Sequence, residues 1–398
     1  MKIRKGENMV ETVNRHVSKT RIQWLDVMKC FGILAIYLGH FGPESGYSHD
    51  FVFTHHVTLF FFVSGCTEAL SRNNKQIRIY LAQKVKNILV PYFLFALLSI
   101  IVYELSENAP AAGIRKELIR MIKGAVRNQF CAGALWFLTC LFVVQVIFIL
   151  LNSICPKWAL LLVSGILAYF SFFVMVPPLI TNPRWFYNVD SALYYFFYYV
   201  LGYLLFPYME KIFRDIRKYK IPVALTSIMC LIYAALLFFR NGHLTEWLLR
   251  PVWGSILYNV QPLLIIWLYA VVSRWLQDVR IFNEIGKNTL YLCGSEYLAT
   301  TGINTALQSL GLTVQIISPM TAYIYSAILI WVGIRVLVPL EKKLFHAVTG
   351  KLPLLFFPHF YDINKVDIYT EIPRKERTDG TYDEGKSYAA DTDKRIKK

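Results

Sequence analysis

Runs of about 20 apolar residues recur along this chain, and no other feature restricts its fold as much, because a helix needs about that length to cross the hydrocarbon of a bilayer. They fall near 23–41, 52–70, 87–105, 135–154, 158–176, 189–206, 221–239, 252–272, 289–305 and 318–338. The expectation is an all-α, polytopic membrane protein with about ten transmembrane helices, since a helix satisfies its own backbone in lipid. Of 398 residues, 56% are hydrophobic and 17% charged, against about 25% charged in a soluble domain. A net charge of +16 would suit nucleic acid if it were gathered on a polar surface. Here the basic residues sit between apolar runs, so the bilayer is the expected partner and nucleic acid is not.

Ten spans place both termini on one side. With the N-terminus inside, about 20 Lys and Arg fall in the N-terminal segment and short inner loops, against about eight in the outer loops. The positive-inside rule then makes both termini cytoplasmic, in a multi-pass protein of the cell membrane. The expected organisation is a cytoplasmic segment 1–22, a membrane domain 23–338 and a cytoplasmic tail 339–398. The charged, polar stretch from about residue 361 is expected to be disordered. The stretch 352–360, broken by Pro353 and Pro358, is expected on the inner membrane surface. Residues 1–22 are polar and basic, so no secretory signal peptide is expected. Seven cysteines without a C-x-x-C pair read as buried small hydrophobes rather than a disulfide framework.

Ionisable residues inside a membrane are costly and mark function. The second and ninth runs are the weakest as spans because they contain His55, His56 and Glu68, then Glu296. In the first run Lys29 and His40 are eleven residues apart, about 1100° around a helix, so they share one face about 16 Å apart along the axis. Asp26 is three residues before Lys29 and can pair with it. A purely structural role is also open, with Lys29 snorkelling to the inner headgroups and His40 resting at the outer interface. If the first two runs are antiparallel neighbours, His55 or His56 lies at the depth of His40. Two imidazoles there suit proton abstraction near neutral pH. A metal pair would need a third ligand, none has a suggestive spacing, and no metal is expected. Glu296, about seven residues into its run, needs a partner: Lys29, an acceptor hydroxyl, or a proton.

These residues resemble the acyltransferase 3 family of integral membrane acyltransferases, particularly its fucose 4-O-acetylase-like branch. The first-helix signature, a basic residue, ten residues and then His, is met by Lys29 and His40. A His followed by a phenylalanine run and Ser-Gly matches His56 through Ser64 and Gly65. A basic segment leading into Pro-Tyr matches Lys84 and Lys86 before Pro91 and Tyr92. A Leu-Trp-Phe-Leu motif matches Leu135 to Leu138, and Gly-Lys-Asn-Thr matches Gly286 to Thr289. Two positions differ from the family pattern: Asn87 stands where relatives often have a basic residue, and Glu296 near where many have His.

The resemblance implies transfer of an acyl group, usually acetyl from cytoplasmic acetyl-CoA, to a hydroxyl of a cell-envelope saccharide or glycolipid. His40 would be the base that takes the hydroxyl proton, or would itself carry the acyl group, with His56 supporting it. Lys29, Lys84 and Lys86 would meet the phosphates of the acyl-CoA. Asp26, Ser64, Trp136 and Glu296 would support the site or touch the acceptor, with Trp136 either stacked on a sugar or anchored at the interface. The competing readings are a transporter or flippase for an envelope precursor, and a noncatalytic scaffold. A transporter often shows inverted repeats, and no corresponding halves are evident here.

Overall fold

Every regular element among the described residues is a helix. The computed structural model describes residues 21–71, 77–107, 110–175, 183–239 and 251–356, and Thr20–Leu355 gather into one unit. Expectations for 1–20 and for the tail beyond 356 concern residues outside that range.

Among the described residues, six helices are long and apolar enough to cross a membrane: Ile77–Ser106, Gly133–Asn152, Phe186–Arg214, Lys220–Phe239, Asn259–Leu276 and Pro319–Val348. They coincide with six of the ten expected runs. The other four depart from a plain span for identifiable reasons. The first run forms α1 (Gln23–His40), and 13 of its 18 residues are buried, Asp26 among them. It is the central helix, and its Asp26, Lys29 and His40 meet partners within the protein. The second run breaks at Thr54 and His55 into α2 (Tyr47–Phe53) and α3 (His56–Ala69). The fifth gives α8 (Lys157–Phe170), apolar but short, extended by a wider turn Ser171–Met175. The ninth breaks at Ser295 between α13 (Thr289–Gly294) and α14 (Glu296–Ser309).

The remaining helices fill in the order α4 (Ile77–Lys84), a wide turn Val85–Leu89, α5 (Val90–Glu107), α6 (Ala111–Ile122) and α7 (Trp136–Asn152). After α8 come α9 (Val189–Arg214), α10 (Lys220–Phe239), α11 (Pro251–Leu276) and α12 (Arg280–Lys287), with α15 (Pro319–Val332) and α16 (Val338–Phe356) closing the chain. Residues 352–356 of the Pro-broken stretch belong to α16.

Outward faces are apolar, as lipid requires. On α8, Trp158, Leu162, Ile166 and Tyr169 recur at helical spacing on one face and are exposed, a stripe suited to acyl chains. On α10, Ile221, Leu225, Ile228, Met229, Ile232 and Leu236 are likewise exposed, while Val223, Cys230, Ala234 and Leu237 face protein.

Between helices, contact depends on small residues. A Cβ on Gly65 would lie 2.0 Å from the Tyr199 carbonyl oxygen, and one on Gly202 would lie 2.0 Å from that of Phe62. The two glycines therefore let the backbones of α3 and α9 touch. This close crossing gives the Ser-Gly sequence after the phenylalanine run a structural reason. Around it Phe61 stacks on Tyr195 at 4.6 Å, and Phe148 meets Tyr199 and Tyr203 edge-on.

Candidate active site

The two ends of α1 carry different chemistry. Asp26, 2% exposed at its side chain, lies at the starting end and accepts from Arg21 Nε at 2.5 Å and Arg21 Nη2 at 3.0 Å. Its Oδ1 also meets Lys29 Nζ at 3.4 Å, with the Lys29 side chain 22% exposed. The expected Asp26–Lys29 pair is present, and Arg21 completes it. Sequence reading missed Arg21 because it precedes the helix and looked like one more basic residue of the N-terminal segment. Gly286 packs on this end so closely that a Cβ would fall 1.9 Å from the Asp26 carbonyl oxygen. The Gly-Lys-Asn-Thr motif thus sits against the charged end of α1, with Lys287 exposed beside it.

At the other end, His40 is the last residue of α1, and Ser45 Oγ donates to the Leu38 carbonyl at 2.9 Å, occupying one of the carbonyls left open by the helix end. His40 Nδ1 lies 3.0 Å from Glu296 Oε2, with the His40 side chain 33% exposed and that of Glu296 8%. Thr300 Oγ1 donates to Glu296 Oε1 at 3.3 Å. The break at Ser295 puts Glu296 in the first turn of α14, where the helix dipole favours a carboxylate. Tyr37, nearly a turn before His40, donates its hydroxyl to the Leu292 carbonyl at 3.1 Å and ties α1 to α13. The partner Glu296 needed is therefore His40. Lys29 belongs to the far end of α1, about 16 Å away.

This pairing has a chemical consequence. A carboxylate at Nδ1 holds the proton there and leaves Nε2 with its lone pair, the arrangement in which an imidazole accepts a proton from a hydroxyl.

The two histidines after the break differ. His55 is held on both ring nitrogens, Nδ1 3.1 Å from Thr54 Oγ1 and Nε2 3.0 Å from the Tyr269 hydroxyl. His56 donates Nδ1–H to the Val52 carbonyl at 2.6 Å and lines a small, partly open pocket with room for about one water (about 20 Å³), together with Phe53, Thr54, Arg127, Tyr194 and Tyr195. Arg127 is a member that sequence reading missed, because it was counted only as outer-loop charge. Trp136, a candidate for sugar stacking, is buried under Arg127, whose guanidinium lies 4.7 Å from its ring centroid.

The other candidates have separate surroundings. Lys84 Nζ meets Glu68 Oε2 at 2.9 Å, and the same carboxylate accepts from Tyr80, Tyr199 and Ser71. Lys84 is thus already paired within the protein. Lys86 is exposed on the wide turn after α4, and Ser64 is half-buried on α3 beside the close crossing at Gly65.

Comparison with known proteins supplies the family. The family model for an acyltransferase domain, acyltransferase 3, matches residues 22–337, a range that includes α1, the His56 pocket and Glu296. No curated protein and no solved structure matches the chain. With a family match over most of its length and several helices able to span a bilayer, the chain belongs to the acyltransferase 3 family of membrane acyltransferases.

Proposed function

We propose that the protein is an O-acetyltransferase of the cell membrane, taking acetyl from cytoplasmic acetyl-CoA and placing it on a hydroxyl of an envelope saccharide or glycolipid. In this reading about ten helices cross the bilayer, both termini are cytoplasmic, and the Lys29 end of α1 faces the cytoplasm. The observation that carries it is the His40–Glu296 pair, a partly exposed imidazole oriented by a buried carboxylate.

His40 Nε2 takes the proton of the acceptor hydroxyl as its oxygen attacks the acetyl carbonyl carbon. The new C–O bond forms, the C–S bond breaks, and His40 returns the proton to the departing thiolate. Glu296 stabilises the imidazolium between these steps. If the imidazole instead attacks the carbonyl first, the same Nε2 carries the acetyl group. Lys29 is too far from His40 to act on the same carbon. Its role is at the CoA end, where it and Arg21 offer positive charge to phosphates, with the pantetheine arm covering the distance along α1. Lys86 adds exposed charge for the same ligand, and Lys84 does so only by leaving Glu68.

The test is purified protein in liposomes with acetyl-labelled acetyl-CoA and an extract of envelope glycans and glycolipids. Label on an ester-linked acceptor supports the reading. Uptake or flipping of an envelope precursor with no label transfer would establish the transporter instead.

A further inference from the structure

The pocket beside His56 contains a cation that has no counter-charge among the described residues. Arg127 is 7% exposed, and its Nη1 has no hydrogen-bond partner. The Trp136 ring supports the guanidinium and Tyr195 lines the same pocket, but no carboxylate pairs with it among the described residues. Asp190, the acid of the same region, is committed to the backbone N–H groups of Arg184, Trp185 and Ser191. Leaving a guanidinium buried and unneutralised is costly, and fixed donors in a concave site are the usual means of holding an anion.

The loop around Arg127 is built to keep it there. Its backbone N–H donates to Asn188 Oδ1 at 3.0 Å, and Asn188 Nδ2 donates to the Gly124 carbonyl at 3.1 Å and to Thr139 Oγ1 at 3.0 Å. Ala125, Asn128, Tyr187 and Asn188 all have positive φ, between 45° and 63°. Such conformations cost energy outside glycine and persist only where the surroundings impose them. A helix-linking loop needs none of this to carry a surface charge.

We propose that the acceptor is an anionic saccharide whose carboxylate or phosphate is bound by Arg127 in the pocket beside His56. Tyr194 and Tyr195 line the same space, which has room for about one water (about 20 Å³), so an oxygen of the charged group reaches the guanidinium only as the lining side chains give way, and the sugar ring stays outside. The assignment of this ligand as acceptor rests on the acyltransferase reading above. Binding of the anion does not.

Ligand-detected saturation-transfer NMR on the detergent-purified full chain, without acetyl-CoA, tests it with three probes: D-glucuronate, glucose 6-phosphate and D-glucose. One or both anionic sugars give signal at millimolar concentration and glucose gives none; which one responds separates a carboxylate from a phosphate. Arg127→Gln reduces that signal at least tenfold, and Arg127→Lys retains part of it, since charge survives without the planar fork. On the unaltered protein, phenylglyoxal modification of Arg127, read by peptide mass spectrometry, is slowed by the bound anionic sugar and unaffected by glucose. That arm keeps the test decisive if Arg127→Gln fails to fold. Equal signals from glucose and the anionic sugars, or no protection of Arg127 by either anionic sugar, would overturn the proposal. Inorganic phosphate displacing neither sugar would also overturn it. Binding without acetyl transfer once acetyl-CoA is added supports the site and counts against the acyltransferase reading.

Discussion

Glu296 acts on His40 through one hydrogen bond, so the two residues should fail differently. His40→Ala removes the base and should lower kcat by about 10²–10⁴. Glu296→Gln keeps the shape but no longer enforces the proton on Nδ1, and should lower kcat while leaving the donor KM near its normal value. At the other end of α1, Lys29→Ala should raise the donor KM, and Lys29→Arg should be milder because charge is retained. Steady-state kinetics with acetyl-CoA varied separate these outcomes, and unchanged donor kinetics in Lys29→Ala would reduce Lys29 to a snorkelling residue. His56→Ala should cost more activity than His55→Ala, because His56 lines the pocket while His55 is bonded on both nitrogens. The Asp26–Lys29 pair was legible from a spacing of three on a helix. The His40–Glu296 pair was not, because periodicity relates residues within one helix and not helices far apart in the chain. The need for a partner at Glu296 was visible, but not its identity. Arg127 was hidden for another reason: a basic residue in a loop resembles a topology signal unless its burial is known.

At the level of helices, the expected runs that carry His40, His56 and Glu296 are the ones that break or become central. A continuous apolar helix would place His55 and Glu296 by register alone. The breaks at Thr54 and Ser295 instead aim His56 at the pocket and Glu296 at His40. Sequence marked these segments through the cost of charge in lipid, but turn geometry inside an apolar run leaves no periodic trace. The close crossing of α3 and α9 makes a separate prediction. Gly65→Leu or Gly202→Leu should destabilise the protein by about 1–3 kcal/mol or more, seen as a lower unfolding midpoint in detergent. Gly302→Leu, where a Cβ would meet nothing within 4 Å, should change it little. Equal shifts in all three would show that the glycines are not what brings the helices together.

For the whole molecule, apolar patterning was enough to establish an all-helical membrane protein, whereas the number of crossings depends on which helices are enclosed by others. α1 is the instructive case, long enough to span yet buried by its neighbours on most sides. Orientation is open to direct measurement. Cysteines introduced at Glu44 and Lys287 should react with a membrane-impermeant maleimide from opposite sides, Glu44→Cys from outside and Lys287→Cys from the cytoplasm. The native cysteines are buried or half-buried, which favours a low background. Labelling of both positions from one side would invert or shorten the proposed topology. The proposed acyl transfer by a carboxylate-oriented imidazole at the His40 end of α1 is put to the sharpest trial by single-turnover transfer from labelled acetyl-CoA in His40→Ala, alongside donor binding in the same preparation. Unchanged donor binding with no label on the acceptor is the expected result, and wild-type transfer by His40→Ala would contradict the mechanism.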